Sequence, residues 1–414
     1  MTTPGRVRDE RRAASEAGIL DAACELFARN GPDGASLRAV AAAAGCTHAL
    51  VTRYYGSKAG LEAAVAAQLA DQVDRSVSRS IAVADNPLAD LLTSARAHRT
   101  SVQLLVRSAL GDLPARGFPA CLHIDELLDP KPGPSGPAAR TGHDDRRSRL
   151  VAYASASLLL GYVTFDGFLV AATDLGPLAP RRRDSAMASA AKWLLEVPGR
   201  PEPRLEPRDL SGASGLVPVR EPATSAREAL LRSAIELFAE RGPASVSVRD
   251  IAQHARVNQG LIYRHFGSKD ALLAESLEQG SAEMYPAALA DDGFDFDTMS
   301  WLLHHSAATP RLIARTLVDD IEISSVRTQF PTLRRLIDAY DVVPSGAGPA
   351  DLSDPRVAVV ATAGMALGSA IWGAHLRGQL GLGERDGIEA AIADLARLLV
   401  AAPVLARSGG GTIR

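Results

Sequence analysis

A chain of 414 residues is too long for one compact core, so its length indicates two or more domains. Its 46% hydrophobic and 22% charged residues supply enough apolar material for burial and an ordinary soluble surface. Only 5% of the residues are aromatic, so the core must consist mainly of Ala, Leu and Val, which favours helices. A formal net charge of −3 excludes a uniformly basic nucleic-acid binder.

Charge is unevenly distributed along the chain. Residues 1–60 contain 8 Lys or Arg and 6 Asp or Glu, and residues 220–272 contain the same numbers, so each block carries about +2. The rest of the chain then carries about −7. Two mildly basic blocks in an acidic body suit local contact with phosphates, although ordinary scatter of surface charge explains these numbers equally well.

The cysteines and the most apolar segment indicate where the protein resides. Cys24, Cys46 and Cys121 have no close spacing, so they predict neither a metal site nor a disulfide framework, and they fit a reduced cytoplasmic location. Residues 150–172 form the most apolar stretch, but it contains Asp166 and several Ser, Thr and Gly residues. We interpret it as a buried helix rather than a membrane span, and we expect no cofactor, no metal and no membrane partner.

An internal repeat defines the organisation of the chain. Residues 20–61 match residues 231–272 at a constant offset of 211, and 18 of the 42 positions are identical without a gap. The shared pattern is Ala-x-Glu-Leu-Phe-Ala-x-x-Gly-Pro, then Ser-x-Arg, then Arg-x-x-Gly-Ser-Lys. More loosely, the Leu-Gly pair at 160–161 recurs at 367–368. The sequence therefore predicts a tandem duplication.

Each copy begins with short helices that break at the same places. The Gly-Pro pairs at 31–32 and 242–243 end the first helix, because Gly permits a left-handed cap and Pro cannot continue a helix. The second helix spans about two turns after the N-caps Ser36 and Ser247. The caps of the third helix are Thr47 and Asn258. Two short helices joined by a tight turn are typical of a helix-turn-helix, although any small helical hairpin shares this outline.

Apolar residues recur at i, i+3 or i+4, and i+7, and no stretch alternates as a β-strand does, so the predicted fold class is all-α. Polar, Pro- and Gly-rich stretches at 129–149 and 341–356 are interpreted as loops inside the two copies. The predicted domains are a first helix-turn-helix domain (1–60), a first helical domain (61–197), a solvated linker (198–225), a second helix-turn-helix domain (226–272) and a second helical domain (273–414).

Both copies follow the third helix with Gly-Ser-Lys, at residues 56–58 and 267–269. The Ser is a good cap for a fourth helix, and the Lys then lies in its first turn, where its charge opposes the helix dipole. An anion bound at that helix end makes the position of the Lys favourable, and a DNA phosphate is an anion that suits this site. Only four lysines occur in the chain, and Lys58 and Lys269 are two of them, so we favour a phosphate contact over shared descent alone.

Residues 261–272 (Leu-Ile-Tyr-Arg-His-Phe-Gly-Ser-Lys-Asp-Ala-Leu) resemble the signature of the tetracycline-repressor (TetR) family of transcriptional regulators, and residues 50–61 resemble it more weakly. The resemblance implies two tandem units, each with a three-helix helix-turn-helix domain and a helical regulatory domain, and a double-stranded DNA operator as partner. It places these side chains toward DNA: Ser36, Arg38, Thr47, His48, Tyr54 and Lys58 in copy one, and Ser247, Arg249, Asn258, Gln259, Tyr263, His265 and Lys269 in copy two.

Within this set the expected roles differ. The Lys and Ser side chains, with Thr47 and Tyr263, are predicted to bind phosphates, which carry no sequence information. His48 and Gln259 lie at the exposed start of the third helix and are candidates for base edges; Gln suits adenine, with a discrimination of about 1–3 kcal/mol. The basic residues between 6 and 12 form an arm that either follows a DNA groove or is a solvated tail.

Two positions depart from the family pattern. Copy one has Thr52 where the family usually has Tyr, so a phosphate contact there is shorter or missing. Copy two has Arg256 where copy one keeps the usual Gly of the turn as Gly45, and a positive φ disfavours any residue other than Gly. These departures favour an alternative function, an effector- or partner-binding protein in which one or both DNA-binding units have decayed.

The resemblance also implies a small-molecule effector in a cavity between regulatory helices. The lining is expected to be mainly Leu, Val and Ala, so we predict a repressor that is released by an apolar effector. The sequence has no phosphate-binding Gly-Lys loop, no His-Glu-x-x-His and no Gly-x-Ser-x-Gly, so we expect no enzyme and no catalytic residue.

Two helix pairs, 150–172 with 185–197 and 356–379 with 387–401, correspond to helices that form a four-helix bundle between two subunits in the family. A linker of about 25 residues reaches roughly 25–30 Å, so both pairs can pack inside one molecule. We therefore predict an intramolecular pseudo-dimer, with a homodimer as the alternative. Because the two DNA-binding surfaces differ, the operator is expected to have two unlike half-sites.

Overall fold

The computed structural model describes residues 4–113, 142–196, 225–284, 289–290, 293–305, 308–321, 333, 336–337, 354–383 and 387–405. In the first unit the helices are α1 (Pro4–Gly34), α2 (Leu37–Ala43), α3 (His48–Tyr55), α4 (Lys58–Val83), α5 (Pro87–Ala97), α6 (Arg99–Ala109), α7 (Gly142–Thr173) and α8 (Pro180–Glu196).

The second unit repeats this order of helices. They are α9 (Ala226–Arg241), α10 (Val248–His254), α11 (Gly260–Phe266), α12 (Lys269–Met284), α13 (Phe296–His305), α14 (Ala308–Val318), α15 (Pro355–Leu380) and α16 (Ile388–Leu405). Two-residue strands, β1 (Leu289–Ala290) and β2 (Gly293–Phe294), pair antiparallel between α12 and α13. The predicted all-α class and the tandem arrangement are confirmed.

Glycines end the first helix of each unit, as predicted. Gly31 (φ 70°) interrupts α1, and Gly242 (φ 85°) follows α9; both have positive φ, which other residues rarely adopt. The basic residues 6–12, interpreted from the sequence as an arm that follows a DNA groove or as a solvated tail, lie within α1, which begins at Pro4. Proline in the first turn is compatible with a helix.

A second correction concerns the segment 129–149, which was interpreted as a loop. Residues 142–149 form the first two turns of α7, while residues 129–141 lie outside the described residues. A long-range contact fixes the last of these residues: the Arg149 guanidinium donates to the carbonyls of Leu380 (3.2 Å) and Gly381 (3.1 Å) at the end of α15. Such carbonyls lack partners within their own helix.

The domain boundaries stay a prediction. Of the linker 198–225, only Ser225 is described, and its hydroxyl accepts from the Glu228 backbone N–H as the N-cap of α9. Helices α4 and α12 run through residues 60 and 272 without a break. Each helix-turn-helix domain is therefore joined to the helices that follow it by a continuous helix.

The cores of the two helix-turn-helix domains, hereafter the first head (α1–α3) and the second head (α9–α11), use the same repeat positions. Three pairs separated by 211 residues have side chains with no exposed surface: Phe27 and Phe238, Val51 and Ile262, Leu61 and Leu272. Burying one such side chain contributes about 1.5–3 kcal/mol. The two copies thus bury equivalent positions in a common core, which Leu61 and Leu272 of the fourth helices complete.

Helices α7 and α15 cross in very close contact at the centre of the molecule. A Cβ atom added to Gly161 would lie 1.9 Å from the Gly364 carbonyl oxygen, and one added to Gly368 would lie 1.9 Å from the Ser157 carbonyl oxygen. The same offset of 207 residues relates 161 to 368 and 157 to 364, so the two contacts are counterparts about an approximate two-fold axis. The absence of side chains at the crossing lets the two backbones approach.

Polar contacts fix the register of this crossing. The Tyr153 hydroxyl lies 2.8 Å from Ser369 Oγ, and Trp372 Nε1 donates to Thr164 Oγ1 at 2.9 Å, with all four side chains buried or nearly so. Buried polar groups that are left unpaired cost about 1–3 kcal/mol each, so a shifted register is disfavoured. Helices α8 and α16 pack on the outer faces and complete a four-helix bundle between the two units. Four aromatic side chains of α7 and α15 are all buried: Tyr162, Phe165, Phe168 and Trp372.

Helices α7 and α15 are the two in the described part of the chain that are long and apolar enough to cross a membrane, over Arg146–Thr173 and Pro355–Leu380. The most apolar windows of these helices are 56% and 89% buried inside the protein. Their apolar character is accounted for by packing against each other, as the sequence predicted for 150–172.

We expect Gly161→Ala to lower the free energy of unfolding by about 3 kcal/mol, because the methyl group forces α7 and α15 apart. Gly378→Ala is the matched control: Gly378 lies exposed on α15 with open space around it, so this change is expected to stabilise by up to about 1 kcal/mol. Urea unfolding of both variants measures the difference. Equal stability of the two variants would contradict the close crossing.

Candidate nucleic-acid interface

The turn between the second and third helices has the same geometry in both heads. Gly45 has φ 63° and Arg256 has φ 57°, so the Arg adopts the left-handed conformation that the sequence comparison identified as disfavoured. The backbone N–H groups of both residues bond equivalent carbonyls, those of Ala42 (3.2 Å) and Gln253 (3.1 Å). The second head therefore keeps the turn and tolerates backbone strain of order 1 kcal/mol.

Serine caps position the second helix of each head, as predicted. Ser36 Oγ accepts from the Ala39 N–H at 3.1 Å, and Ser247 Oγ accepts from the Asp250 N–H at 3.2 Å. In the second head Asp250 completes a capping box, and hydrogen bonds from the Ser247 side chain and backbone lower the pKa of that carboxyl. Ser247 also donates its hydroxyl proton to Asp250 (2.6 Å), so it is engaged within the head.

The third helices, α3 and α11, begin differently. Thr47 occupies the N-cap position of α3, but its side chain forms no capping hydrogen bond, contrary to the prediction. Asn258 does cap, since its Oδ1 accepts from the Gly260 N–H at 2.7 Å. His48 is the first residue of α3 and Gln259 immediately precedes α11; both side chains are exposed. The two heads thus present different polar groups at the same place.

Farther along these helices the two heads diverge again. In copy one Thr52 is exposed and its hydroxyl donates to the His48 carbonyl (3.1 Å), whereas Tyr263, at the equivalent position of copy two, is 53% exposed. Tyr54 is half-buried, with the Arg12 guanidinium 5.8 Å from its ring centre, while its counterpart His265 is exposed. Copy two therefore offers the longer side chain at the position of Thr52 and the more exposed one at the position of Tyr54.

The fourth helix of each unit begins as the Gly-Ser-Lys pattern predicts. Ser57 Oγ accepts from the Gly60 N–H (3.1 Å), and Ser268 Oγ accepts from the Ala271 N–H (3.0 Å). Lys58 and Lys269 are the first residues of these helices, and both are half-buried. Burial lowers the pKa of Lys269, an effect opposed by the carboxylates around it.

Most of the predicted set is on the surface of the heads. Besides the residues already placed, Arg38 and Arg249 are exposed in the first turns of α2 and α10. The prediction overlooked two further exposed cations, Arg53 on α3 and Arg264 on α11. The repeat pattern Arg-x-x-Gly-Ser-Lys contains both and could have identified them.

Two apolar cavities lie among the helices that follow the heads, α4–α8 in the first unit and α12–α16 in the second (hereafter the regulatory parts). The larger, of about 160 Å³, lies between α4, α5, α6 and α7 and is lined chiefly by Val, Leu and Ala, with Gln72, His98 and several Ser side chains. The smaller, of about 80 Å³, lies between α13, α14, α15 and α16, and Phe168 of the other unit reaches into it. The two units therefore differ in the space that they offer to a ligand.

A third cavity, of about 350 Å³, has a charged lining. In it the Arg96 guanidinium binds Asp166 (2.5 Å) and the buried Asp184 (2.8 Å). Among the residues with described side chains, no group of three His, Cys, Asp or Glu is placed to hold a metal ion. The side chains of the adjacent pair His304 and His305 lie outside that description.

Comparison with known proteins identifies relatives. A family model described as bacterial regulatory proteins, tetR family, matches residues 19–65 and 230–276. The chain is 33% identical over 165 residues to the HTH-type transcriptional repressor Rv3405c of Mycobacterium tuberculosis and, equally, to the HTH-type transcriptional regulator Mb3439c of Mycobacterium bovis, and each match covers 39% of this chain and 80% of the relative.

A shorter similarity, 42% identity over 69 residues, relates the chain to the HTH-type transcriptional repressor KstR2 of Rhodococcus jostii and covers 17% of this chain and 29% of that protein. The two family matches coincide with the two heads, and the longer relatives are each covered over most of their length by less than half of this chain. The chain therefore belongs to the TetR family of bacterial transcriptional regulators, as a tandem duplication in which each unit carries its own DNA-binding head.

Proposed function

We propose that this DNA-binding regulator is a cytoplasmic repressor that binds one operator with both heads and is released by a small apolar effector. The observation that carries the proposal is the pair of exposed third helices, each held by a well-capped head core, with different polar side chains at equivalent positions. Gln259 of the second head occupies the position equivalent to His48 of the first, and Tyr263 occupies the position equivalent to Thr52.

The pseudo-dimer follows from the contact between the two units. Ordinary members of a dimeric helix-turn-helix family place two third helices in successive major grooves by pairing two chains. Here the close crossing of α7 with α15 supports pairing within one chain. Because the heads differ, the operator is expected to have two unlike half-sites, and a palindrome has no advantage.

The residue roles remain those expected from the sequence, with one change. Lys58, Lys269, Ser36, Thr47 and Tyr263 are proposed to bind phosphates, and His48 and Gln259 to contact base edges. Ser247 is less suited, since it donates its proton to Asp250. The other proposed contacts are Arg38, Tyr54, Arg249, Asn258 and His265.

The effector is proposed to bind in the larger apolar cavity. A cavity of this size can hold a ligand about as large as benzene, and its mainly apolar lining favours an uncharged ligand. Helix α4 contributes Gln72 and Val77 to the lining and begins at Lys58 in the first head. A ligand that shifts α4 would therefore move the head.

The alternative, a binding protein with decayed heads, is favoured by Thr52 and by the strained Arg256 turn. Against it, Arg256 keeps the conformation of Gly45, so the second head has not lost its shape. The operator experiment below separates the two functions, because decayed heads select no DNA sequence from a random pool.

We expect the wild-type chain to select a duplex with two unlike halves from a random pool. On that duplex, Lys269→Ala is expected to weaken binding to all sequences similarly and to reduce the salt dependence of log K by about one unit of slope. Gln259→Ala is expected instead to relax the preference at one base position. Fluorescence anisotropy over a salt series measures both effects.

Lys192→Ala is the matched control for charge, since Lys192 is an exposed lysine on α8 in the regulatory part. It changes the net charge equally and is expected to leave the slope unchanged. Unaltered affinity of Lys269→Ala at low salt would show that this lysine contacts no phosphate.

For the effector, compounds from a thermal-shift screen of small apolar molecules are expected to raise the melting temperature and lower DNA affinity together, since coupling between two sites is reciprocal. Ala156→Leu fills the larger cavity and is expected to abolish both effects, whereas Ala366→Leu, in the smaller cavity, leaves them. A compound that still releases DNA from Ala156→Leu would contradict this location.

A further inference from the structure

A buried arginine caps the first helix of each head from the regulatory part. Arg107, on α6, is 2% exposed, and its guanidinium donates to the carbonyls of Ala28 (2.9 Å) and Arg29 (3.0 Å) near the end of the helical run before Gly31. Arg315, on α14, is 3% exposed and donates to the Ala239 carbonyl (3.0 Å) near the end of α9.

These two arginines are counterparts in the repeat, because their targets Ala28 and Ala239 are separated by the same 211 residues that relate the heads. Carbonyls in the last turn of a helix lack intrahelical partners. A cation at this end is also attracted by the negative end of the helix dipole. Each regulatory part therefore holds its own head through one guanidinium.

Both arginines also bind an aspartate of the other unit. Arg107 Nη2 donates to Asp319 Oδ1 at 2.7 Å, and Arg315 donates through both terminal nitrogens to Asp112, at 2.7 and 2.8 Å. A longer contact, 3.4 Å, joins Arg107 to Asp112. We call these four side chains the Arg–Asp cluster.

The cluster reaches the second head through a direct bond as well. Asp319 Oδ2 accepts from the Ala244 backbone N–H at 2.7 Å, just after the Gly-Pro pair that ends α9. A Cβ atom on Gly242 would lie 2.8 Å from the same oxygen. A continuous path of hydrogen bonds therefore runs from the Ala28 carbonyl of the first head, through Arg107 and Asp319, to the second head.

Stability alone does not account for such a cluster. Its formal charge is zero, but the cost of desolvating four ionised groups commonly equals or exceeds their mutual attraction, so well-packed apolar residues would stabilise the fold as well. Buried ionic groups do impose geometry, because each needs its partners at hydrogen-bond distance. The four side chains join both heads at the place where the two units meet.

We propose that the Arg–Asp cluster positions the two heads relative to each other and so fixes the spacing of the half-sites that the chain can occupy together. This inference rests on the proposed function, in which both heads bind one duplex. All four side chains act as positioning residues: Arg107, Arg315 and Asp319 bind the heads directly, and Asp112 binds both arginines. Breaking the cluster leaves each head folded but frees its orientation.

The test uses the duplex that the wild-type chain selects from a random pool and two further duplexes in which one half or the other is scrambled. Asp112→Asn and Asp319→Asn break the cluster from opposite units while preserving side-chain size. Both are expected to lower affinity for the full duplex by about tenfold, a typical magnitude for coupling between sites, and to leave affinity for the scrambled-half duplexes within about twofold. Inserting two base pairs between the halves is expected to weaken wild-type binding strongly and variant binding much less.

Asp320→Asn is the matched control. Asp320 adjoins Asp319 but is half exposed and pairs with the exposed Arg99, so its loss is expected to change none of these affinities. Circular dichroism and melting temperature verify that the variants are folded. Equal losses on full and scrambled duplexes, no loss on either, or an unfolded pair of variants would each overturn the positioning role. Failure of the wild-type chain to select any duplex would instead overturn the proposed function.

Discussion

The close crossing of α7 and α15 is the constraint on which the rest of the structure depends. Gly161 and Gly368 bring two helix backbones together where any side chain would separate them, and the approximate two-fold relation of their contacts places the two units as counterparts. The bundle around this crossing supports α6 and α14, and these helices carry the arginines that hold the heads. Head placement therefore depends on a contact far along the chain from either head.

Local features of the heads could be predicted from the sequence because they depend on residues close together in the chain. Ser36 and Ser247 cap helices whatever surrounds them, and Gly31 ends a helix by its own conformational freedom. The repeat supplied an internal comparison, which singled out Arg256 as the one turn residue in conflict with Gly45. In the structure Arg256 adopts the left-handed backbone conformation of Gly45, so the turn keeps its geometry and the backbone of Arg256 is strained.

Features that depend on the other unit could not be predicted in this way. Arginine is a residue type that usually lies on the surface. Nothing in the sequence near Arg107 and Arg315 indicates that each is buried against a helix end and a distant carboxylate. The helical start of α7 was mistaken for a loop because Arg149 finds its partners at Leu380 and Gly381. The unequal cavities likewise arise from packing between helices and have no sequence pattern.

One molecule is proposed to do what two chains do in a simple dimeric regulator, and the mass of the DNA complex tests this most directly. Light scattering coupled to size-exclusion chromatography, at micromolar protein with the selected duplex, measures how many chains bind. We predict one chain of 43.5 kDa per duplex, with both unlike halves protected from nuclease in the same complex. A stable complex of two chains on one duplex, with four heads engaged, would contradict it.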